Sequence, residues 1–240
     1  AEIEPPLSLE KKTHVKKALA DALTQRGYET LTPVQKAVTE ADLHNADLLV
    51  SAQTGSGKTV GFGLALGETL LGAQDNFGNA EAPLALIIAP TRELVMQIHE
   101  VMVGLAQFTD LRILALYGGL GPKTQIQTLE AGVDILVSTP GRFLELYRKE
   151  AIGTKDLKYL ILDEADKMMD MGFMPQIRAI LEVIPSKRQN LLFSATFSGR
   201  IDHLAAEFLE FPERVEVAPS ATTAETIAQV VYNVPNIKTK

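Results

Sequence analysis

Asp47-Leu48-Leu49-Val50-Ser51-Ala52-Gln53-Thr54-Gly55-Ser56-Gly57-Lys58-Thr59 is the stretch whose reading decides the fold. Its apolar start has the length of a buried strand. Val60 to Leu71, rich in Gly, Leu and Ala, follows as a helix. Strand, glycine turn, Lys-Thr and helix together describe a phosphate-binding loop. Gly55 and Gly57 allow backbone angles and close approaches that a Cβ would resist. The N–H groups of Ala52, Gln53, Thr54, Gly55, Ser56 and Gly57 could then converge on phosphate oxygens at the positive start of a helix. Lys58 would reach the β/γ-phosphates, and the Thr59 hydroxyl would bind Mg²⁺. The usual pattern opens on Gly where this chain has Ala52, and a plain glycine turn between packed elements would use many of the same residues.

Outward from that loop, apolar runs recur at regular intervals, each ending in polar residues. Leu84 to Ala89 leads into Pro90-Thr91-Arg92-Glu93, which opens a helix to about Phe108. Ile113 to Tyr117 leads into Gly118-Gly119, Ile135 to Ser138 into Thr139-Pro140-Gly141-Arg142, and Tyr159 to Leu162 into Asp163-Glu164-Ala165-Asp166. Asn190 to Phe193 leads into Ser194-Ala195-Thr196, and a seventh short strand is expected near Val215 to Val217. Strands alternating with helices imply an α/β fold, a parallel sheet of about seven strands covered on both faces. In such sheets ligands bind beyond the carboxyl ends of the strands, so these polar residues converge on one edge.

Upstream, helical spacing of Leu19, Ala22 and Leu23 predicts an amphipathic helix over Lys11 to Gln25, ended by Gly27. Thr32-Pro33 starts another, with Thr as cap and Gln35 near its beginning. Gly72 to Pro83 reads as a polar loop. Residues 1–217 form one domain, and 218–240 read as a linker and the start of something further.

The 240 residues, 46% hydrophobic, suffice for one large α/β domain. With no cysteine, disulfides and thiolate metal sites are excluded, which fits a reducing compartment, taken as the cytoplasm. The N-terminus has no apolar signal core, and no apolar run spans a bilayer. A net charge of −7 excludes a general polyanion sponge, so any nucleic-acid contact must come from a local patch. His14, His44, His99 and His203 lack metal-ligand spacing. The methionines from Met168 to Met174 are expected to pack a helix and turn against the core.

Asp163-Glu164 at a strand end complements the phosphate loop. Asp163 suits Mg²⁺ through water, and Glu164 suits orienting and deprotonating an attacking water. Adjacent acids at a helix start also suit the helix dipole without any ligand.

Asp163-Glu164-Ala165-Asp166 spells the signature of the DEAD-box RNA helicases, and the resemblance extends over residues 10 to 217. In order, Gly27-Tyr28 through Gln35, Ala52 through Thr59, Pro90 through Leu94, Gly118-Gly119, Thr139 through Arg142, Asp163 through Asp166, and Ser194 through Thr196 resemble the motifs of that family's first RecA-like domain. The family tolerates Ala at the first position of its phosphate loop.

The resemblance implies an ATP-dependent RNA helicase, with ATP or ADP and Mg²⁺ as ligands. Gln35 would read adenine, since a carboxamide matches its N6 and N7; Tyr28 is a candidate contact and equally a core residue. Pro90, Thr91, Arg92, Gly118, Gly119, Thr139, Pro140, Gly141 and Arg142 resemble the family's RNA-contacting set. They suit backbone-led binding of a single strand, with RNA told from DNA by its 2′-hydroxyls. Asp166, Ser194 and Thr196 would couple the nucleotide site to RNA. The sequence departs from the pattern at Leu31, where Pro is usual, and near Leu7 to Glu10, where an aromatic is usual. The family's second RecA-like domain, which supplies arginines to the ATP site, has no counterpart after Ser220, so the chain alone is expected to be a monomer with almost no catalysis. An RNA- or partner-binding scaffold with a vestigial ATPase, or another phosphate-loop enzyme, are the alternatives.

Overall fold

A computed structural model of the chain describes residues 15–40, 46–71 and 82–217. Seven strands make one parallel sheet in the order β3-β4-β2-β5-β6-β1-β7. They are β1 (Leu48–Ser51), β2 (Ala85–Ile88), β3 (Ile113–Leu116), β4 (Ile135–Ser138), β5 (Tyr159–Leu162), β6 (Gln189–Ser194) and β7 (Glu213–Glu216). The helices are α1 (Lys17–Gln25), α2 (Pro33–Glu40), α3 (Lys58–Leu70), α4 (Arg92–Leu105), α5 (Lys123–Glu130), α6 (Pro140–Arg148), α7 (Ala165–Asp170), α8 (Met174–Val183) and α9 (Gly199–Phe208).

Apart from the exposed edge strand β7, Glu-Arg-Val-Glu, the strands are largely apolar on both faces because each face carries its own core. Leu49, Leu86, Ile88, Leu136, Leu160 and Leu192 join a cluster with Phe143 and Leu146 of α6, Met168 of α7, Ile177 of α8 and Leu204 of α9. Their neighbours along the strands, Leu48, Val50, Ala85, Ile87, Val137 and Phe193, join a second cluster with Val34 of α2, Phe62 of α3 and Ile98 of α4. The two-residue period of a strand thus sorts alternate side chains into two layers. Leu19 and Leu23 of α1 form a third cluster with Val60 and Leu64 of α3. Helix α3 lies between the sheet and α1, which accounts for its nearly continuous apolar sequence.

The expected strands form with boundaries shifted by a residue or two, as hydrogen bonding at element ends dictates. Helix α3 starts at Lys58 rather than Val60, so Lys58 and Thr59 already sit in its first turn. Helix α4 closes at Leu105, before Phe108, which is exposed. Lys11 to His14, His44 and most of the 72–83 loop lie outside the described residues, as do 218–240. The methionine expectation holds for Met168, Met169 and Met174, which pack against the first core cluster, and fails for Met171. Met168 is fully buried, but Met171 is 47% exposed, because α7 is short and ends at Asp170. Among the described residues no helix is long and apolar enough to cross a membrane.

Candidate functional site

The ends of β1, β5 and β6 build the centre of the site. The Ala52 N–H donates to Ser194 O at 3.0 Å, extending the β1–β6 pairing into the loop. The Ala52 methyl is buried in the second core cluster, so the alanine fills space where glycine would leave a void. Gly55 and Gly57 hold φ of +83° and +85°, the left-handed region. Gly57 is constrained twice, since a Cβ there would lie 2.5 Å from Gln35 Nε2.

Lys58 lies in this first helical turn with its side chain almost fully buried. Its Nζ sits 2.8 Å from Asp163 Oδ1 and 3.9 Å from Glu164 Oε1. Asp163 is completely buried. Burial pushes its carboxyl pKa up, the Lys58 ammonium opposes that, and Glu164 adds to it. Oδ1 also accepts the Glu164 N–H at 2.9 Å, whereas Oδ2 is buried with no partner. Ser56 Oγ in the phosphate loop is orphaned in the same way. Buried polar atoms left unpaired cost about 1–3 kcal/mol each, so both fit a polar or ionic ligand in the loop.

Glu164 has φ +52° and ψ +51°, a left-handed conformation for a residue with a side chain. Such strain costs about 1–3 kcal/mol and clusters at functional sites. It places the carboxylate 3.4 Å from Lys167 Nζ as well as near Lys58.

Gln35 is fully buried and bonded at both ends of its amide. Oε1 accepts the Thr32 N–H at 2.8 Å, and Nε2 donates to Gly57 O at 3.2 Å. Gln35 N in turn meets Thr32 Oγ1 at 3.4 Å, and that hydroxyl donates to Ser56 O at 3.0 Å. Thr32 and Gln35 therefore form a reciprocal capping box that also grips two carbonyls of the phosphate loop. The Thr-x-x-Gln spacing signals the box in sequence; the grip on the loop does not show there, because it joins residues over twenty positions apart. An adenine contact by Gln35 requires this amide to exchange partners. Tyr28 packs against the cluster of α1, Leu31 and α3.

Ser194 is buried, its Oγ donating to Thr196 O at 2.8 Å, while Thr196 is exposed. Asp166 Oδ1 accepts the Lys167 N–H at 3.0 Å. Ser194 reaches the base of the loop through Ala52, and among the described residues Asp166 makes no bond to either hydroxyl.

Arg92, Gly119 and the ends of β3 and β4 lie together along the same edge. Thr91 Oγ1 caps α4 by accepting the Leu94 N–H at 3.2 Å, whereas Thr139 makes no such bond at the start of α6. Pro140 is buried at the first turn of α6, Gly141 is exposed, and so are Gly118 and Gly119. Arg92 lies over the Tyr117 ring, 4.8 Å from its centroid. Tyr117 holds Arg92 in place and carries no motif signal in the sequence. Arg142, expected to face phosphate, is buried, with Nε and Nη1 lacking hydrogen-bond partners among the described residues. It is 6% exposed, donates from NH2 to Leu120 O at 2.7 Å, and lies 3.2 Å from Glu145 through Nε. The arginine at helix position three turns inward and fastens the loop of Gly118 and Gly119 to α6.

Comparison with known proteins agrees with this geometry. A family model described as DEAD/DEAH box helicase matches residues 32–204. The chain belongs to the DEAD/DEAH box helicase family. It is 39% identical over 216 residues to the ATP-dependent RNA helicase RhlB of Idiomarina loihiensis, covering 89% of this chain and 51% of that protein. It is 38% identical over 244 residues to DEAD-box ATP-dependent RNA helicase 52A of Oryza sativa subsp. japonica, covering 96% and 40%. The crystal structure of a DEAD box protein from Methanococcus jannaschii superposes with a TM-score of 0.78 at 32% identity, covering 86% of this chain and 55% of that one. This DEAD-box chain thus spans about half or less of the length of these relatives, with the fold of an N-terminal RecA-like domain.

Proposed function

We propose that this DEAD-box chain is the ATP- and RNA-binding first domain of an ATP-dependent RNA helicase. The observation that carries the reading is the buried Lys58–Asp163 pair at 2.8 Å, with Glu164 beside it at the carboxyl edge of the sheet. A buried ion pair of this kind stabilises little by itself, because desolvation offsets attraction. It becomes useful when an anion takes Lys58 and a cation takes Asp163.

In this reading the loop from Ala52 to Thr59 surrounds the phosphates with N–H groups, and Lys58 turns from Asp163 to the β/γ-phosphates. Thr59 and Asp163, whose Oδ2 is free of protein partners, would hold Mg²⁺, which supplies positive charge to the phosphate oxygens. Glu164 orients the attacking water and accepts its proton, its carboxylate being kept in place by the left-handed backbone and by Lys167. Gln35 reads the adenine edge by giving up its bonds within the capping box and to Gly57, so base recognition loosens the grip on the phosphate loop. GTP presents an acceptor where ATP presents the N6 donor, so the amide favours adenine.

RNA lies along Thr91, Arg92, Gly118, Gly119, Thr139, Pro140 and Gly141 by its sugar–phosphate backbone. Arg92 stands on Tyr117, and Arg142 serves by positioning the Leu120 loop. Ser194, Thr196 and Asp166 couple the two regions, with Ser194 tied to the loop through Ala52. A second RecA-like domain of the whole protein completes the ATP site with arginine. An arginine finger contributes about 10³ to 10⁵ in rate in related enzymes. Residues 218–240 serve as the linker to that domain. The test is ATPase activity of the whole protein with and without single-stranded RNA. RNA stimulation supports the reading, and a rate indifferent to RNA would leave a phosphate-loop ATPase of another kind.

A further inference from the structure

Among the described residues strand β3 ends the sheet, pairing with β4 alone. Arg112 O accepts from Asp134 and Ile135, and Leu116 O accepts from Thr139, so the even-numbered residues turn their backbone toward β4. By the two-residue alternation, Ile113, Ala115 and Tyr117 turn theirs outward. Side chains meet two of these groups. His99 Nε2 of α4 lies 3.2 Å from Ile113 O, and Gln125 Nε2 of α5 donates to Tyr117 O at 3.2 Å. Between these clasps the N–H and C=O of Ala115 face the open edge.

The edge lies in a groove of about 1020 Å³ between α4 and α5, with Leu114, Ala115 and Tyr117 among its lining residues. That is the size of a large ligand site. Met96 on the α4 side is 46% exposed and Leu120 on the α5 side 55% exposed. Gln125 is nine-tenths buried in this groove, and its Oε1 has no partner. A buried acceptor without a donor asks for an N–H from an occupant.

Charge decides which occupant. Glu93 and Glu100 stand on the groove face of α4, one turn to either side of Met96, against Lys123 on α5. The acids oppose a phosphate backbone and favour basic residues. A second copy of this chain would bring its own Glu93 and Glu100 to the same place. Four strand residues span about 13 Å, the reach of a short extended segment.

We propose that the β3 groove is a docking site for an extended segment of a partner protein, added as a strand beside Ile113 to Tyr117. Its backbone exchanges hydrogen bonds with Ala115 and gives one N–H to Gln125 Oε1. One set of alternate side chains places an apolar residue on Met96 with basic residues toward Glu93 and Glu100. The other set meets Leu120 and the threonines of α5. This site is separate from the nucleotide loop and does not depend on the helicase reading.

The experiment is selection of a displayed library of random peptides, each about ten residues long, on residues 1–240 without nucleotide or RNA. The expected winners carry an apolar residue with Lys or Arg two positions to each side. They slow hydrogen exchange at Ala115, and their affinity falls at least about tenfold on Ala115→Pro. Proline suits an outward-facing edge position, so the fold tolerates that change while losing the donor. The double variant Glu93→Lys/Glu100→Lys, which alters only the exposed face of α4, should lose the same peptides and supports the test if the proline variant melts early. No enrichment, or winners that bind both variants as they bind the original chain, would overturn the proposal. So would protection of Ala115 by oligouridine in place of the peptides, which would make the groove part of the RNA face.

Discussion

Replacing Gln35 with leucine separates two roles that the sequence merges. If Gln35 only read adenine, the change would leave the nucleotide-free domain as stable as before. The structure requires otherwise. Leucine removes the 2.8 Å bond to Thr32 N and the 3.2 Å bond to Gly57 O. Leaving the Thr32 N–H unpaired costs about 1–3 kcal/mol, and losing the second bond to Gly57 O, which keeps the Gly61 N–H, costs about 1 kcal/mol more; the added apolar burial returns about 1–2 kcal/mol. The net loss is about 2 kcal/mol, or roughly 4–8 °C in melting midpoint for a domain of this size. Thr32→Val removes the hydroxyl bond to Ser56 O at 3.0 Å, and the double variant should cost less than the sum by about 0.5 kcal/mol or more, since both act on one network. Calorimetric melting without nucleotide measures all three, and titration with ADP and GDP adds the second role. ADP affinity should fall, and the preference over GDP should vanish. A Gln35→Leu midpoint within about 1 °C of the original would refute the structural part. An unchanged ADP preference would remove Gln35 from the base.

Other changes test the remaining parts. In the whole protein, Glu164→Gln should keep ATP bound while stopping hydrolysis, because the amide keeps the shape but is a poor base; turnover near the original rate would remove its water-activating role. Residues 1–240 alone should turn over ATP at least about 10³-fold more slowly than the RNA-stimulated whole protein, and rates within about tenfold would mean that an arginine such as Arg92 acts in cis. Arg142→Met should destabilise the domain by about 1–3 kcal/mol and weaken RNA binding through the freed Leu120 loop, as read by denaturation and by fluorescence anisotropy. Lys149 first, and Arg142 with it, holds the Glu145 carboxyl pKa below its usual range. That group contributes stability above the unfolded pKa and loses it as pH falls through the lower folded value, so Glu145→Gln should reduce the acid-side decline in stability measured by urea titration.

Much of this protein was legible along the chain because its signals are local. The strand–loop–helix from Leu48 to Leu70 needs only apolar length, two glycines and a Lys-Thr pair in sequence. The five further strands that end in polar residues follow from the same pattern, and the carboxyl-edge rule for parallel sheets brings those ends together. Thr91 as a cap and Thr32-Pro33 as a helix start are likewise decided by neighbours within four residues.

Other features depended on residues far apart in sequence. Arg142 occupies a position that reads as a phosphate contact, yet α6 turns it under the Leu120 loop, 22 positions away, where its charge is buried. Gln35 reads as a free amide, yet the approach of α2 to the phosphate loop spends both of its ends. Tyr117 reads as the end of a strand and becomes the platform for Arg92. The sequence by itself determined the succession of strands and helices along the chain, the phosphate loop, the acidic pair and the family, because backbone preference and apolar period act over a few residues. Tertiary structure alone decided which polar side chains remain available to a ligand, because burial and hydrogen-bond partnership arise only when distant elements pack.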